Sequence, residues 1–473
     1  VYNGNYNQLP SLSALKAPKV LMVSPEYPPI NGGVGRYTYN LVQELKRQGI
    51  KVYIVCDKPG RGDFVGLSPQ NPCNSEILCD LVDKIQPDIV HIQYEPGLYG
   101  LKLHSFNPNK IYTTVDLFYE KAQVPIITTF HSGYTLRQWM RIPEMKKEVE
   151  SSESRKSTNN SSYSPTPKLK CSLRTVSIYW KYLANYYAFQ NQNKEKLIKS
   201  AAGIVFSNFM KTIIDVKSYG KINTKKTWLI YHGSEPKTFG EGISKQSARS
   251  RFPSLLQKNI DRIALAFGFT SVAKGWDILR QMRIPDKWVI IVNSSVNHST
   301  GERIRLERFA SKKSKNNVHR IINLNQDYLS EEDLSALIYA SDTVLLPYKV
   351  TSGSGVMFDA LGHGIPFIAS DLPFFNEFAS KGLGITARRT PKAFTNALLE
   401  LDNNYDIYKK AVDGFKKYLK WDSITRNHIK LYNDVITNSN RMLATIDGDV
   451  THPRSHPPQL EYADKVIKRV RPG

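Results

Sequence analysis

Along the first half of the chain, short apolar β-branched runs alternate with segments of helical period. Residues 19–25 (KVLMVSP) read as a buried strand, and residues 35–49 (GRYTYNLVQELKRQG) as a helix ended by Gly49. The strand series continues at 51–57, 88–94, 125–131 and 203–208. A second series occupies 262–269, 288–295, 318–324, 343–348 and 366–371, with helices expected at 330–341 and 356–364. Strands apolar throughout and separated by helices predict parallel sheets covered on both faces. The expected fold class is therefore α/β, with two doubly wound domains facing each other across a cleft. The first is expected over 15–235 with an inserted polar loop at about 148–170, the second over 236–437, and a tail over 438–473. The linker is placed at 231–246, where Gly, Pro and polar residues interrupt any period.

Composition adds a compartment and a charge. The 473 residues hold 65 Lys and Arg against 42 Asp and Glu, a formal net charge of +23. Such an excess predicts an anionic partner: nucleic acid, an acidic membrane surface or a phosphate-bearing small molecule. Cys56, Cys73, Cys79 and Cys171 form no CxxC pair and read as free thiols of a reducing cytoplasm. No signal peptide and no apolar run of membrane-spanning length is visible, so a cytoplasmic protein is expected. The two glycosylation triplets within 159–162 read as incidental.

Candidate chemistry sits at the carboxyl ends of the expected strands. Pro28 to Arg36, with Gly32 and Gly33, joins the first strand to a helix; it is either a tight turn or a close backbone approach to phosphate. Thr351, Ser352, Gly353, Ser354 and Gly355 open a later helix and offer backbone and hydroxyl donors to a phosphate. Asp359 lies two turns into that helix, where a carboxylate suits sugar hydroxyls or else sits at the surface. Lys274, at the end of the first strand of the second domain, is placed to neutralise a leaving diphosphate or is simply solvated. His131 ends a strand and should point into the cleft, as a sugar-binding or a core histidine. His232 precedes Gly233 at the domain junction, where the glycine alone would account for the turn.

From about Lys19 to Val435 these motifs in this order resemble the retaining glycosyltransferases of family 4, with the GT-B fold of two Rossmann-like domains. The resemblance implies transfer of a hexose from a nucleotide diphosphosugar, such as GDP-mannose or UDP-glucose, to an acceptor hydroxyl, with no cofactor and no metal. It implies donor contacts from Gly32, Gly33, His232, Lys274, Thr351 to Gly355 and Asp359, catalytic roles for His131 and Lys274, and an acceptor side at Arg36 and Glu95. Three positions depart from the family pattern: Thr351 stands where the first Glu of an E-x7-E pair is usual, Phe269 where Arg is frequent, and His232 where Asn is. In the implied mechanism Lys274 and the Ser354 and Gly355 N–H groups hold the leaving diphosphate, Asp359 grips the ribose, and the leaving phosphate takes the acceptor's proton.

The charge then points to the acceptor. Between Arg137 and Lys226 there are 18 Lys and Arg but 6 Asp and Glu, and within this stretch residues 173–189 (LRTVSIYWKYLANYYAF) are rich in aromatics. Such a helix belongs in a core or in the headgroup zone of a membrane. A lipid-linked or carbohydrate acceptor reached from an anionic membrane surface is expected, and nucleic acid is not, since no basic-aromatic binding module is visible. The rival readings are a degenerate GT-B protein acting as a basic binding module and a nucleotide-sugar epimerase; a phosphorylase lacks the necessary lysine context.

Overall fold

The computed structural model describes residues 17–103, 111–142, 145, 173–215, 226–236, 244–255, 260–269, 271–295, 320–324, 326 and 328–448. The expected insertion at 148–170 and the segment 451–473 lie outside these. Two parallel sheets form the frame. The first has the order β3-β2-β1-β4-β7-β8-β9 and the second β12-β11-β10-β13-β14-β15. In the first sheet β1 is Lys19–Val23, β2 Lys51–Cys56, β3 Phe64–Val65, β4 Ile89–Tyr94, β7 Ile126–Phe130, β8 Ala202–Val205 and β9 Thr227–Leu229; Lys102–Leu103 (β5) and Ile111–Tyr112 (β6) pair apart as a small antiparallel ribbon. In the second, β10 is Arg262–Phe269, β11 Trp288–Ser295, β12 Ile321–Asn323, β13 Thr343–Leu346, β14 Phe367–Ser370 and β15 Gly384–Ala387.

The central strands are buried on both faces, which is why they read as unbroken apolar runs: every residue of β4, β7, β13 and β14 is buried. In register, Val20 of β1 lies between Val52 and Ile89. The chain reverses its direction of sheet growth between β1 and β4 and again between β10 and β13, so each domain opens a crevice at the carboxyl ends of those strands. Strands end one or two residues earlier than the sequence predicts, at Val23, Phe130, Leu346 and Ser370. His131, Tyr348 and Asp371 thereby move into the loops that rim the crevices. The edge strands β3, β9 and β15, of two to four residues, carry too short a pattern to read from sequence.

Of the tail expected over 438–473, the described residues, to Gly448, are helical. Helix Trp421–Gly448 runs past that boundary, and it leaves the second domain to lie on the first. Tyr432 Oη is 2.7 Å from His91 Nδ1 on β4, Tyr37 packs against Trp421 with the rings tilted at 53°, and Arg47 reaches Asp422 at 3.4 Å. The two passages between domains are pinned together: Ser234 N–H donates to Leu419 O at 2.9 Å, and Gly233 lies flat against Trp421, where a Cβ would come within 2.5 Å of the indole.

Candidate active site

The two crevices face each other, and three adjoining hollows occupy the space between them. The main cleft, of about 210 Å³, is bordered by Gly33 and Arg36 of the first domain, His232 at the crossing, and Phe269, Lys274, Gly355 and Asp359 of the second. A second cavity of about 280 Å³ holds Glu95 and His131 from the first domain against Lys274, Thr351, Ser352 and Gly353 from the second. Lys274 lines both, so its side chain stands between the two cavities. A third hollow, of about 600 Å³, lies outside the main cleft beyond Arg36, and Gly32 opens onto this one.

At the first glycine loop the protein supplies its own anion. Gly32 caps the Gly33–Arg47 helix, and the Glu26 carboxylate lies over that helix start, accepting from Gly35 N–H at 3.2 Å. A Cβ on Gly32 would fall 2.0 Å from Glu26 Oε2. Burial raises the Glu26 carboxyl above the usual range while the Gly35 and Val34 N–H groups pull it down. The helix dipole is thus satisfied by a side chain that sequence reading passed over, and only Gly33 of the pair borders the cleft.

Arg36, expected on the acceptor side, crosses the cleft. Its guanidinium forms a bidentate pair with Glu331 (2.6 and 2.9 Å) and donates to Asp359 Oδ2 at 2.6 Å. Asp359 Oδ1 accepts from Ser234 at 3.0 Å. Burial pushes the Asp359 carboxyl up, but Arg36 overrides it and holds the group below the usual carboxylate range. Asp359 borders the cleft as expected, yet both its oxygens are already engaged by protein.

The second glycine loop is built as a helix entry. Ser354 caps the Gly355–Gly362 helix by accepting from Met357 N–H at 3.2 Å. Thr351 Oγ1 bonds back to Gly353, and Gln138 of the first domain donates to Thr351 O at 2.6 Å. Lys274 donates to Tyr348 Oη and stands 4.4 Å from that ring's centre; Tyr348 Oη is in turn 3.4 Å from Ser354 Oγ. Arg389 joins the two loops, donating to Pro347 O at 2.9 Å and Gly275 O at 3.1 Å. Gly275 is obligatory here, with φ +66° and a Cβ position 2.0 Å from Pro347 O.

Both histidines are held neutral. Burial lowers His131 to about 3 and His232 to about 4. His131 Nε2 donates to Gln93 Oε1 at 2.9 Å, which leaves Nδ1 as the ring's acceptor. His232 Nδ1 faces Gly233 O at 2.8 Å and must donate, so its Nε2 lone pair lies beside Gly355. Tyr348, Arg389, Gln93, Gln138 and Glu331 were not legible as site residues. Only Tyr348 carried a local signal, an aromatic closing a strand just before the glycine loop.

Residues 31–162 match the family model described as Glycosyltransferase Family 4. No curated protein matches the sequence. Among solved structures the chain is similar to sucrose-phosphate synthase from Thermosynechococcus elongatus (16% identity, TM-score 0.61, covering 89% of this chain and 100% of that one). It is also similar to a glycosyltransferase from Rickettsia africae (14%, 0.58, 90% and 100%) and to Anabaena HepE in complex with UDP-glucose (12%, 0.54, 90% and 100%). The chain is thus a two-domain GT-B protein whose residues 31–162 match Glycosyltransferase Family 4.

Proposed function

We propose that the protein transfers a hexose from a nucleotide diphosphosugar to an acceptor hydroxyl with retention at the anomeric carbon. The observation that carries this reading is Lys274, which lines both the main cleft and the smaller cavity. A nucleoside fits the main cleft, where Phe269 stacks on Tyr328 (5.9 Å, 30°) and offers a flat apolar surface to a base. The diphosphate then meets Lys274 and the start of the Gly355–Gly362 helix, and the sugar enters the smaller cavity beside His131. That HepE binds UDP-glucose in the same fold supports a donor of this class. Asp359 grips the ribose only once Arg36 yields one of its oxygens.

The acceptor is lipid-linked or a glycan, reached at an anionic membrane surface. In support, the Leu173–Lys199 helix buries Phe189 but exposes Trp180 (67%) and Tyr187 (55%), seven residues apart on one face. No helix among the described residues is long and apolar enough to cross a membrane.

A thermal-shift panel of UDP, GDP, ADP and their sugars should raise Tm for one base only, since a ligand bound by the native state stabilises it. With that donor, Lys274→Ala should lose about 100-fold or more in turnover; full turnover would remove Lys274 from the mechanism. In flotation with anionic vesicles at low salt the protein should rise with the lipid, and Trp180→Ala with Tyr187→Ala should leave it in the aqueous phase.

A further inference from the structure

We propose that Glu95 is the carboxylate that faces the transferred sugar and stabilises the positive charge developing at its anomeric carbon, an assignment that rests on the nucleotide-sugar reading above. Among the described residues lining the smaller cavity, Glu95 is the one carboxylate, and it comes from the first domain while Lys274 comes from the second. The cavity therefore has an anionic and a cationic contributor from its two sides. Departure of a diphosphate makes the leaving group more negative and the sugar ring more positive, so this pair of walls matches the charge separation of that step. Thr351, where the family pattern has a glutamate, supplies no charge: its hydroxyl is tied to Gly353 and its carbonyl is held by Gln138.

The scaffold holds Glu95 firmly. It follows the wholly buried β4 and caps the single turn Pro96–Tyr99, its carbonyl accepting from Leu98 N–H at 2.9 Å. Burial pushes its carboxyl up to about 7, against the Ser132 hydroxyl and the Gly97 N–H, which pull it down, and with the buried carboxylate of Glu26, which acts upward. His131, Tyr134, Lys274 and Tyr348 are the other titratable groups lining the same cavity. The ionised form does the work, so activity should rise with pH through about 7. In the step itself the bond from the anomeric carbon to the phosphate oxygen breaks and its electron pair leaves with the diphosphate. The acceptor oxygen bonds the same carbon, the acceptor's proton passes to the leaving phosphate, and Glu95 forms no bond and stays ionised.

Slow hydrolysis of the donor in the absence of acceptor tests this, because it needs the charge stabilised but no acceptor bound. With the nucleotide sugar that raises Tm, Glu95→Gln should hydrolyse about 100-fold more slowly than wild type while keeping its ligand-induced Tm shift, and the acid limb near pH 7 should vanish. Adding Thr351→Glu to that variant should recover about tenfold, since a carboxylate returns to the same cavity. A Glu95→Gln protein that hydrolyses the donor at the wild-type rate, with only transfer impaired, makes Glu95 an acceptor-binding residue and overturns the proposal. Wild-type protein that hydrolyses no nucleotide sugar and gains no Tm shift from any of them overturns the functional reading itself, a result distinct from the first.

Discussion

Arg36 bonds Glu331 and Asp359 from the opposite domain, so removing its guanidinium strands a buried carboxylate with only the Ser234 hydroxyl for company. Arg36→Ala should cost about 1.5–3 kcal/mol in urea denaturation, and Asp359→Asn, which keeps a polar group there, should cost less. An Arg36→Ala protein as stable as wild type would show that Asp359 finds other partners. The sequence marked both residues but put them in separate roles, because nothing in a linear spacing of 323 positions says that two side chains meet. Gly32 shows the same limit. Its glycine identity was legible, but the reason, a carboxylate 2.0 Å from its Cβ position, lay in Glu26, which looked like an ordinary loop residue. Lys274 was legible with its surroundings, since a lysine between a strand end and a glycine is a local pattern; its partner Tyr348, and Arg389 that ties its loop to Pro347, were not.

Elements that build the domains were read well where they are long and central, and poorly where they are short or cross between domains. β10 and β11 occupy the residues expected of them because eight consecutive buried or half-buried positions leave one alternative, a covered parallel strand. The helix Trp421–Gly448 runs past the boundary expected at 437, and its role, returning to the first domain, depends on packing against β4 and the Gly33–Arg47 helix. Gly233→Ala places a Cβ 2.5 Å from the indole of Trp421 and should lower stability by about 1–3 kcal/mol through overpacking. Its donor Tm shift should also shrink, because the cleft walls are spaced by this contact; an unchanged melting curve and ligand shift would show that the crossing repacks freely.

At the scale of the whole molecule, acid stability follows from a set of neutral buried histidines. His131, His232, His363 and His428 are lowered to about 3, 4, 4 and 4 by burial, and His91 is lowered for the same reason. The unfolded chain protonates these groups as pH falls through about 6.5, the folded protein only near 4, so the unfolded state binds more protons within that window. Stability should therefore fall as pH drops from 6.5 towards 4, read as a steady decline in Tm. His428→Gln, which removes one such group against Tyr37, should flatten the slope, and an identical slope would show that other groups set it. The net charge of +23 adds self-repulsion that grows over the same range. By itself the sequence determined the α/β class and the two tandem domains, and it marked the glycine loops and Lys274 as candidates, because periodicity and turn chemistry are local properties of the chain. Only the tertiary structure decided that Arg36 bridges the domains, that Glu26 fills a helix start, and that Glu95 and Lys274 line one cavity. Those are meetings of side chains remote in sequence, brought about by the two sheets opening their crevices towards each other.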